Sequence, residues 1–215
     1  MPRQVDHDAY RADLVLRTTA LFAKSGYSAL SMRNIAEHLG VSTGTLYHYF
    51  PNKEALFEGV VEDVSKRDVG DLRGAMPEGL DAKAKAQLVM GYVESMESHY
   101  LQQNLVMIEW SRDKPSARDR TFNKASARYQ KAAAELLAVD MACARAILIF
   151  IKGLILQRLY DGARTQFDEQ VPYLEALIRM GALEKDNDDR QPLRHKKATR
   201  SPRAAVSRPD LGREA

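Results

Sequence analysis

A single cysteine, Cys143, stands in the 215 residues, so an internal disulfide framework is excluded and a reducing compartment is expected. No apolar run approaches the roughly 18 residues that a bilayer span requires. The most hydrophobic stretch, Ala146 to Ile151, is closed by Arg145 and Lys152 and reads as a buried helix. The opening Met1-Pro2-Arg3-Gln4-Val5-Asp6-His7-Asp8 lacks the apolar segment of a secretory signal. With neither anchor nor leader, a cytoplasmic location is expected. His7, His38, His99 and His195 are scattered, and no cysteine cluster or carboxylate spacing accompanies them, so no metal and no cofactor are expected. A nucleophile elbow, a glycine-rich phosphate loop and paired histidines are also missing, which weighs against an enzyme on a helical scaffold.

Glycine and proline are sparse, twelve and eight, and no segment alternates convincingly as a strand. What is present is helical spacing. Leu14, Thr18, Leu21 and Phe22 share one face, and Gly26 follows as a stop. Ser31 can cap a short second helix with Ile35, Ala36 and Leu39 inward, and Gly40 can end it in the left-handed conformation. Ser42 can cap a third helix with Leu46 and Phe50 inward, and Asn52 a fourth from Lys53 to about Val69. Gly70, Gly74, Pro77 and Gly79 then interrupt the pattern. Further helices are expected around 88–100, 105–110, 122–137, 142–156 and from Asp168, where Pro172 fits an opening turn.

The segment from Ser31 to Phe57 has the parts of a DNA-reading element. A short helix and a glycine turn set the next helix across it, leaving Thr43, Gly44, Thr45, Tyr47, His48 and Tyr49 near its exposed start and flank. Small residues there allow close approach to base edges, and longer polar tips reach phosphate oxygens. Tyr47 and Tyr49 cannot both face inward with Leu46 and Phe50. Lys53 adds a cation at a helix start whose free N–H groups already favour an anion. The net charge of +3, from 32 basic and 29 acidic residues, mildly favours an anionic partner.

From about Leu14 to Phe57 the chain resembles the tetracycline-repressor (TetR) family. The resemblance rests on Leu21-Phe22, Gly26-Tyr27, Ile35-Ala36, Leu39-Gly40-Val41-Ser42, Gly44-Thr45-Leu46-Tyr47, Tyr49-Phe50 and Lys53-Glu54-Ala55-Leu56. It implies an all-α protein: a three-helix helix-turn-helix domain at 1–53 and a helical effector-binding and dimerisation domain at 54–184; beyond these, the helical pattern stops at about Glu184 and Arg194 to Arg208 carries six basic residues and no acidic one, so a basic tail at 185–215 is expected to be disordered. It implies a homodimer on double-stranded, inverted-repeat operator DNA, released as a repressor by a small-molecule effector. By position, Arg33 is expected at a base or phosphate, Thr43, Thr45 and Tyr47 in the groove, and His48, Tyr49 and Lys53 on the DNA backbone.

The effector cavity is expected among Tyr92, Met96, His99, Tyr100, Met107, Trp110, Phe122 and Tyr129, since such sites are largely apolar with few polar anchors. Lys152 is expected to snorkel, with an ion pair or a ligand acid as alternatives. The helix from Asp140 to Tyr160 is apolar all round, more than one core can cover. The dimer interface is therefore expected at Ile147, Phe150, Ile151, Leu154, Leu174, Leu177 and Ile178. Two other classes stay open: a helix-turn-helix used only to bind protein, whose binding would ignore salt, and a DNA-binding protein without an effector.

Overall fold

A computed structural model describes residues 6–113 and 115–189, the side chains of 113–119 and 183–189 excepted. Among them the chain is helical throughout: α1 His7–Ser25, α2 Met32–Leu39, α3 Thr43–Tyr49, α4 Lys53–Ala75, α5 Ala82–Ser95, α6 Glu97–Asp113, α7 Pro115–Leu137, α8 Met141–Asp161, a 3-10 turn Asp168–Gln170 and α9 Val171–Asp189. No helix of the described residues is long and apolar enough to cross a membrane.

Short polar side chains start these helices by accepting orphan backbone N–H bonds. Ser31, Ser42 and Asn52 cap α2, α3 and α4 as their spacing predicts, and Asp6, Asp81 and Asp140 do the same for α1, α5 and α8. Gly40 ends α2 at φ 67°, ψ 31°, a left-handed conformation costly for residues with a Cβ.

Two expectations about boundaries change. Gly70 and Gly74 do not interrupt α4, which runs on to Ala75. A helical glycine costs about 1 kcal/mol relative to alanine, and the contacts of α4 with α7 offset it: Arg73 pairs with Glu135, and Arg128 reaches Ser65 Oγ and the Glu62 carbonyl. The last helix is preceded by the 3-10 turn at Asp168 and extends past Glu184 to Asp189. The basic segment Arg194–Arg208 lies outside the described residues.

Two cores form. The first gathers Leu14, Phe22, Tyr27, Ile35, Leu39, Leu46 and Phe50 from the N-terminal helices, with Leu56, Phe57, Val60 and Val64 of α4 and Trp110 of α6. The second joins α5, α7, α8 and α9 through Ala86, Val89, Met90, Leu137, Ala144, Ile147, Leu154, Ile155, Leu174 and Ile178. The first half of α4 thus packs with the N-terminal helices, while its continuation binds α7.

Candidate functional site

The inward face of α2 and α3 is consumed by Ile35, Ala36, Leu39 and Leu46, so the opposite face is left to solvent. Arg33, Thr43, Gly44, Tyr47 and His48 are all exposed there, and Tyr47 keeps 49% of its surface free. Thr45 is half-buried and its hydroxyl lies 2.7 Å from Ser42 Oγ, which also accepts the Thr45 N–H at 2.9 Å. Ser31 and Asn34 cap α2 reciprocally, and Arg17 of α1 donates to the Leu39 carbonyl at its far end. Both ends of α2 are held, so α3 rests on a fixed platform.

Tyr49 is half-buried against Tyr10, ring centroids 5.3 Å apart, with its hydroxyl 2.8 Å from His7 Nδ1. His7 also lies 6.1 Å from the His48 ring. Sequence spacing separated His7 from this face by some forty residues; only packing α1 beside α3 brings it there.

Lys53 is the main departure among the expected DNA contacts. Its Nζ turns inward, donating to the Tyr27 carbonyl at 3.0 Å and the Leu30 carbonyl at 2.8 Å, and lies 4.0 Å from the centre of the Tyr27 ring. The loop between α1 and α2 exposes carbonyls that no helix satisfies, and a nearby ammonium answers them. From the other side Glu109 of α6 accepts the Tyr27 and Ser28 N–H groups at 2.9 and 2.8 Å. Burial pushes the Glu109 carboxyl up, but these backbone donors and the Lys53 charge outweigh it and hold the pKa below its usual value. Gly26 is needed here, with φ at 77° and a Cβ that would stand 2.7 Å from Glu109 Oε2. A base from α4 and an acid from α6 thus grip one loop of the N-terminal unit. Neither grip follows from the spacing of either residue alone.

A cavity of about 140 Å³ lies between α1, α4, α6, α7 and α8, walled by residues that include Phe22, Phe57, Val60, Val64, Met107 and Lys152. Of the expected lining, His99, Met107, Phe122 and Tyr129 stand at this cavity. Tyr92, Met96, Tyr100 and Trp110 do not. Trp110 is wholly buried in the first core, its ring 5.3 Å from that of Phe57, and Tyr100 packs against the second. Periodicity finds the inward faces of α5 and α6 but cannot tell a packed face from a cavity wall.

Beside the cavity, buried Asp68 of α4 accepts from His99 Nε2 at 2.9 Å, Gln103 Nε2 at 2.8 Å and Tyr129 Oη at 2.6 Å. Burial drives its pKa up, and the donors from His99, Tyr129 and Gln103 more than reverse this, leaving it below the ordinary carboxylate value. The same burial and the Asp68 charge push the Tyr129 hydroxyl well above a normal phenol. No sequence motif marked Asp68, which sits in an amphipathic helix like any surface acid.

The expected interface residues on α8 and α9 also divide. Ile147, Leu154, Leu174 and Ile178 are buried within the second core and cannot meet a partner. Phe150, Ile151 and Leu177 are half-buried against it. α8 leaves Met141, Ala142, Arg145, Ala146, Ile149, Gly153, Gln157, Leu159 and Tyr160 exposed; Ala142, Ala146, Ile149, Gly153 and Tyr160 fall at helical spacing, interrupted by Arg145 and Gln157, and Tyr173, Ala176 and Met180 are exposed on α9. Ile149 and Tyr160 are 64% and 76% exposed. The apolarity of α8 has two causes, an inner face in the core and apolar side chains left on an outer face.

Residues 14–60 match the model of the bacterial regulatory proteins, tetR family. Over 76 residues the chain is 38% identical to the HTH-type transcriptional repressor KstR of Rhodococcus jostii, covering 35% of each chain. The chain thus matches about a third of that relative's length. Across the whole fold it is similar to Salmonella enterica GusR, with a TM-score of 0.63 at 17% identity, covering 84% of this chain and 98% of that one. It is also similar to the transcriptional regulator FadR from Bacillus subtilis, solved in complex with stearoyl-CoA, with a TM-score of 0.57 at 15% identity over 80% and 98% of the two chains.

Proposed function

We propose that this chain, which carries the N-terminal domain of the tetR family of bacterial regulatory proteins, is a cytoplasmic, non-enzymatic repressor that grips an inverted-repeat operator as a homodimer. The observation that carries the reading is the face of α2 and α3 bearing Arg33, Thr43, Gly44, Tyr47 and His48, exposed on helices whose other sides are capped and buried. Arg33 reaches a base edge or phosphate, Tyr47 and the small residues lie in the major groove, and His48 donates to backbone oxygens. Thr45, held to Ser42, contributes through its methyl group, and Tyr49 positions the end of α3 rather than gripping DNA.

The bare strip of α8 and α9, from Ile149 to Tyr160 and Tyr173 to Met180, closes the dimer about a two-fold axis. The cavity between α1 and α4 favours a regulator with an effector over one whose second domain only dimerises. A small molecule there touches both Phe22 and Phe57, the residues that seat α1 on α4. The FadR neighbour was solved in complex with stearoyl-CoA, which supports reading the cavity as a ligand site.

Selection from a random duplex library with the full chain tests the reading. Enrichment of an inverted repeat with half-sites about 10 base pairs apart is expected, with affinity falling steeply as salt rises. Failure to enrich any duplex, or binding indifferent to salt, overturns it.

A further inference from the structure

One side chain of the cavity wall has no counterpart in the rest of the lining. Lys152 of α8 is half-buried, and among the described residues no carboxylate pairs with it. The contact it does make is with an aromatic face, Nζ 5.3 Å from the centre of the Phe122 ring. Burial acts alone on its pKa, drawing it below the usual lysine value, as expected of a cation taken from water without a counter-ion.

Two acids of α4, the helix that lends the wall Val60, Val61, Val64 and Ser65, are committed elsewhere. Asp68 is held by His99, Gln103 and Tyr129, and Glu62 pairs with Lys66 and Arg128. Most of the wall's surface is hydrocarbon and aromatic, including Phe22, Phe57, Val64 and Met107, with polar groups from Thr19, Ser65, Gln102, Asn104 and Ser126 besides those that Asp68 holds. A ligand that fills this space with apolar atoms and presents an anion to Nζ leaves no charge buried alone; a neutral ligand of the same shape leaves Lys152 further desolvated and still unpaired.

Size narrows the class. The cavity holds about 140 Å³, close to an engineered cavity of about 150 Å³ that accepts one benzene. Resting on the effector reading above, we propose that the cavity binds a small apolar monocarboxylic acid, one ring or a short chain, with its carboxylate on Lys152 and its hydrocarbon among Phe22, Phe57, Val64 and Met107.

Calorimetry of the full chain with matched pairs, benzoate against benzamide and hexanoate against hexanamide, tests this. At least one acid is expected to bind about ten-fold more tightly than its amide, the ratio expected of one partly buried ion pair. Lys152→Met should bring acid and amide within about two-fold of each other without weakening the amide, whereas Lys152→Arg should keep the preference. Where circular dichroism shows Lys152→Met misfolded, Lys152→Gln takes its place. Neither acid binding below about 10 mM, equal affinities for acid and amide, or a preference that survives loss of the cation each overturns the proposal. Titrating the acid against the duplex selected above separates the two readings. Acid bound with its preference intact but without displacing DNA supports the ligand class and overturns the effector role. Displacement by both acid and amide alike supports the effector role and overturns the ligand class.

Discussion

The two cores of this chain are built from different side chains. Around α1 to α4 the centre is aromatic: Phe22, Tyr27 and Phe57 meet at centroid distances of 5.0 to 5.8 Å, and Trp110 joins them from α6. Around α5, α8 and α9 the centre is mostly aliphatic and partly small, with Ala86 and Ala144 buried, Gly181 against Cys143 and Val139, and Phe167 as an aromatic member. Aromatic edge-to-face pairs have preferred geometry and add about 0.5–1.5 kcal/mol each beyond burial, so the first core defines one arrangement. Aliphatic surfaces against small residues permit close approach without fixing direction so tightly. The exposed face of α2 and α3 stands on the directional core, and the cavity borders that same core through Phe22, Phe57, Val60 and Val64; among the described residues none of the aliphatic core lines it.

The sharpest challenge to that contrast is Phe57→Ala. It removes the ring shared by Phe22, Tyr27, Trp110 and the cavity wall, and a loss of about 3–5 kcal/mol is expected in urea denaturation. Hydrogen exchange then asks how separate the units are. Because Trp110 belongs to α6, protection should fall in α6 as well as in α2 and α3, while α8 and α9 keep theirs. Uniform loss through all helices would mean a single cooperative core.

Asp68→Ala probes the seam between the units, where α4 meets α6 and α7. Leaving His99, Gln103 and Tyr129 without their shared acceptor should cost about 2–4 kcal/mol. The pH dependence has a definite sign. With its folded pKa below the unfolded value, the Asp68 contribution is fully present above the ordinary carboxylate range near 4 and fades as pH falls through the lowered folded value. The difference in stability between wild type and Asp68→Asn should therefore shrink as pH falls below about 4. A difference that grew on acidification below about 4 would mean that Asp68 is not held as a carboxylate.

On the aliphatic side the matching test is Gly181→Ala. Its Cβ would lie 2.4 Å from Cys143 Sγ, closer than any packing tolerates, and overpacking of this kind costs about 1–3 kcal/mol. Cys143→Ala in the same chain removes the sulfur but keeps a Cβ that would lie 2.6 Å away, with Val139 Cβ at 3.0 Å, so recovery requires α8 and α9 to give by several tenths of an ångström. If the second core is as adaptable as its composition implies, the double variant recovers. If it does not, the α8 and α9 contact is as specific as the aromatic one.

How much the sequence disclosed follows the same division. Local chemistry was legible: Ser31, Ser42 and Asn52 cap where their spacing placed them, and Gly40 takes the left-handed turn. These devices act within four residues, so a single chain displays them. Long-range pairing was not. Lys53 finds Tyr27 and Leu30, Glu109 finds Tyr27 and Ser28, and Asp68 finds three partners at least thirty residues away. Each looks like a solvated charge until the helices are assembled. The same limit explains α8, whose apolar circumference does not reveal that Ile147 and Leu154 belong to the core while Ile149 and Tyr160 face out.

The smallest expected effect separates surface from scaffold within the reading unit. Both Arg33 and Lys53 are cations near the proposed DNA face, but Arg33 is exposed and Lys53 spends its ammonium on two carbonyls and the Tyr27 ring. Each phosphate contact contributes about 0.9 to the slope of log affinity against log salt. Arg33→Ala should lower that slope by about one unit if it binds phosphate, or keep the slope and change base preference if it reads an edge. Lys53→Ala should leave the slope unchanged, because its charge already has partners, while costing about 1 kcal/mol of stability through the loosened loop. Lys53→Met, which keeps the stem but not the ammonium, should behave as Lys53→Ala does in both respects. A slope that falls by one unit in the Lys53 variants would mean that the ammonium leaves Tyr27 for DNA on binding, and that the grip on the loop is a resting arrangement of the free protein.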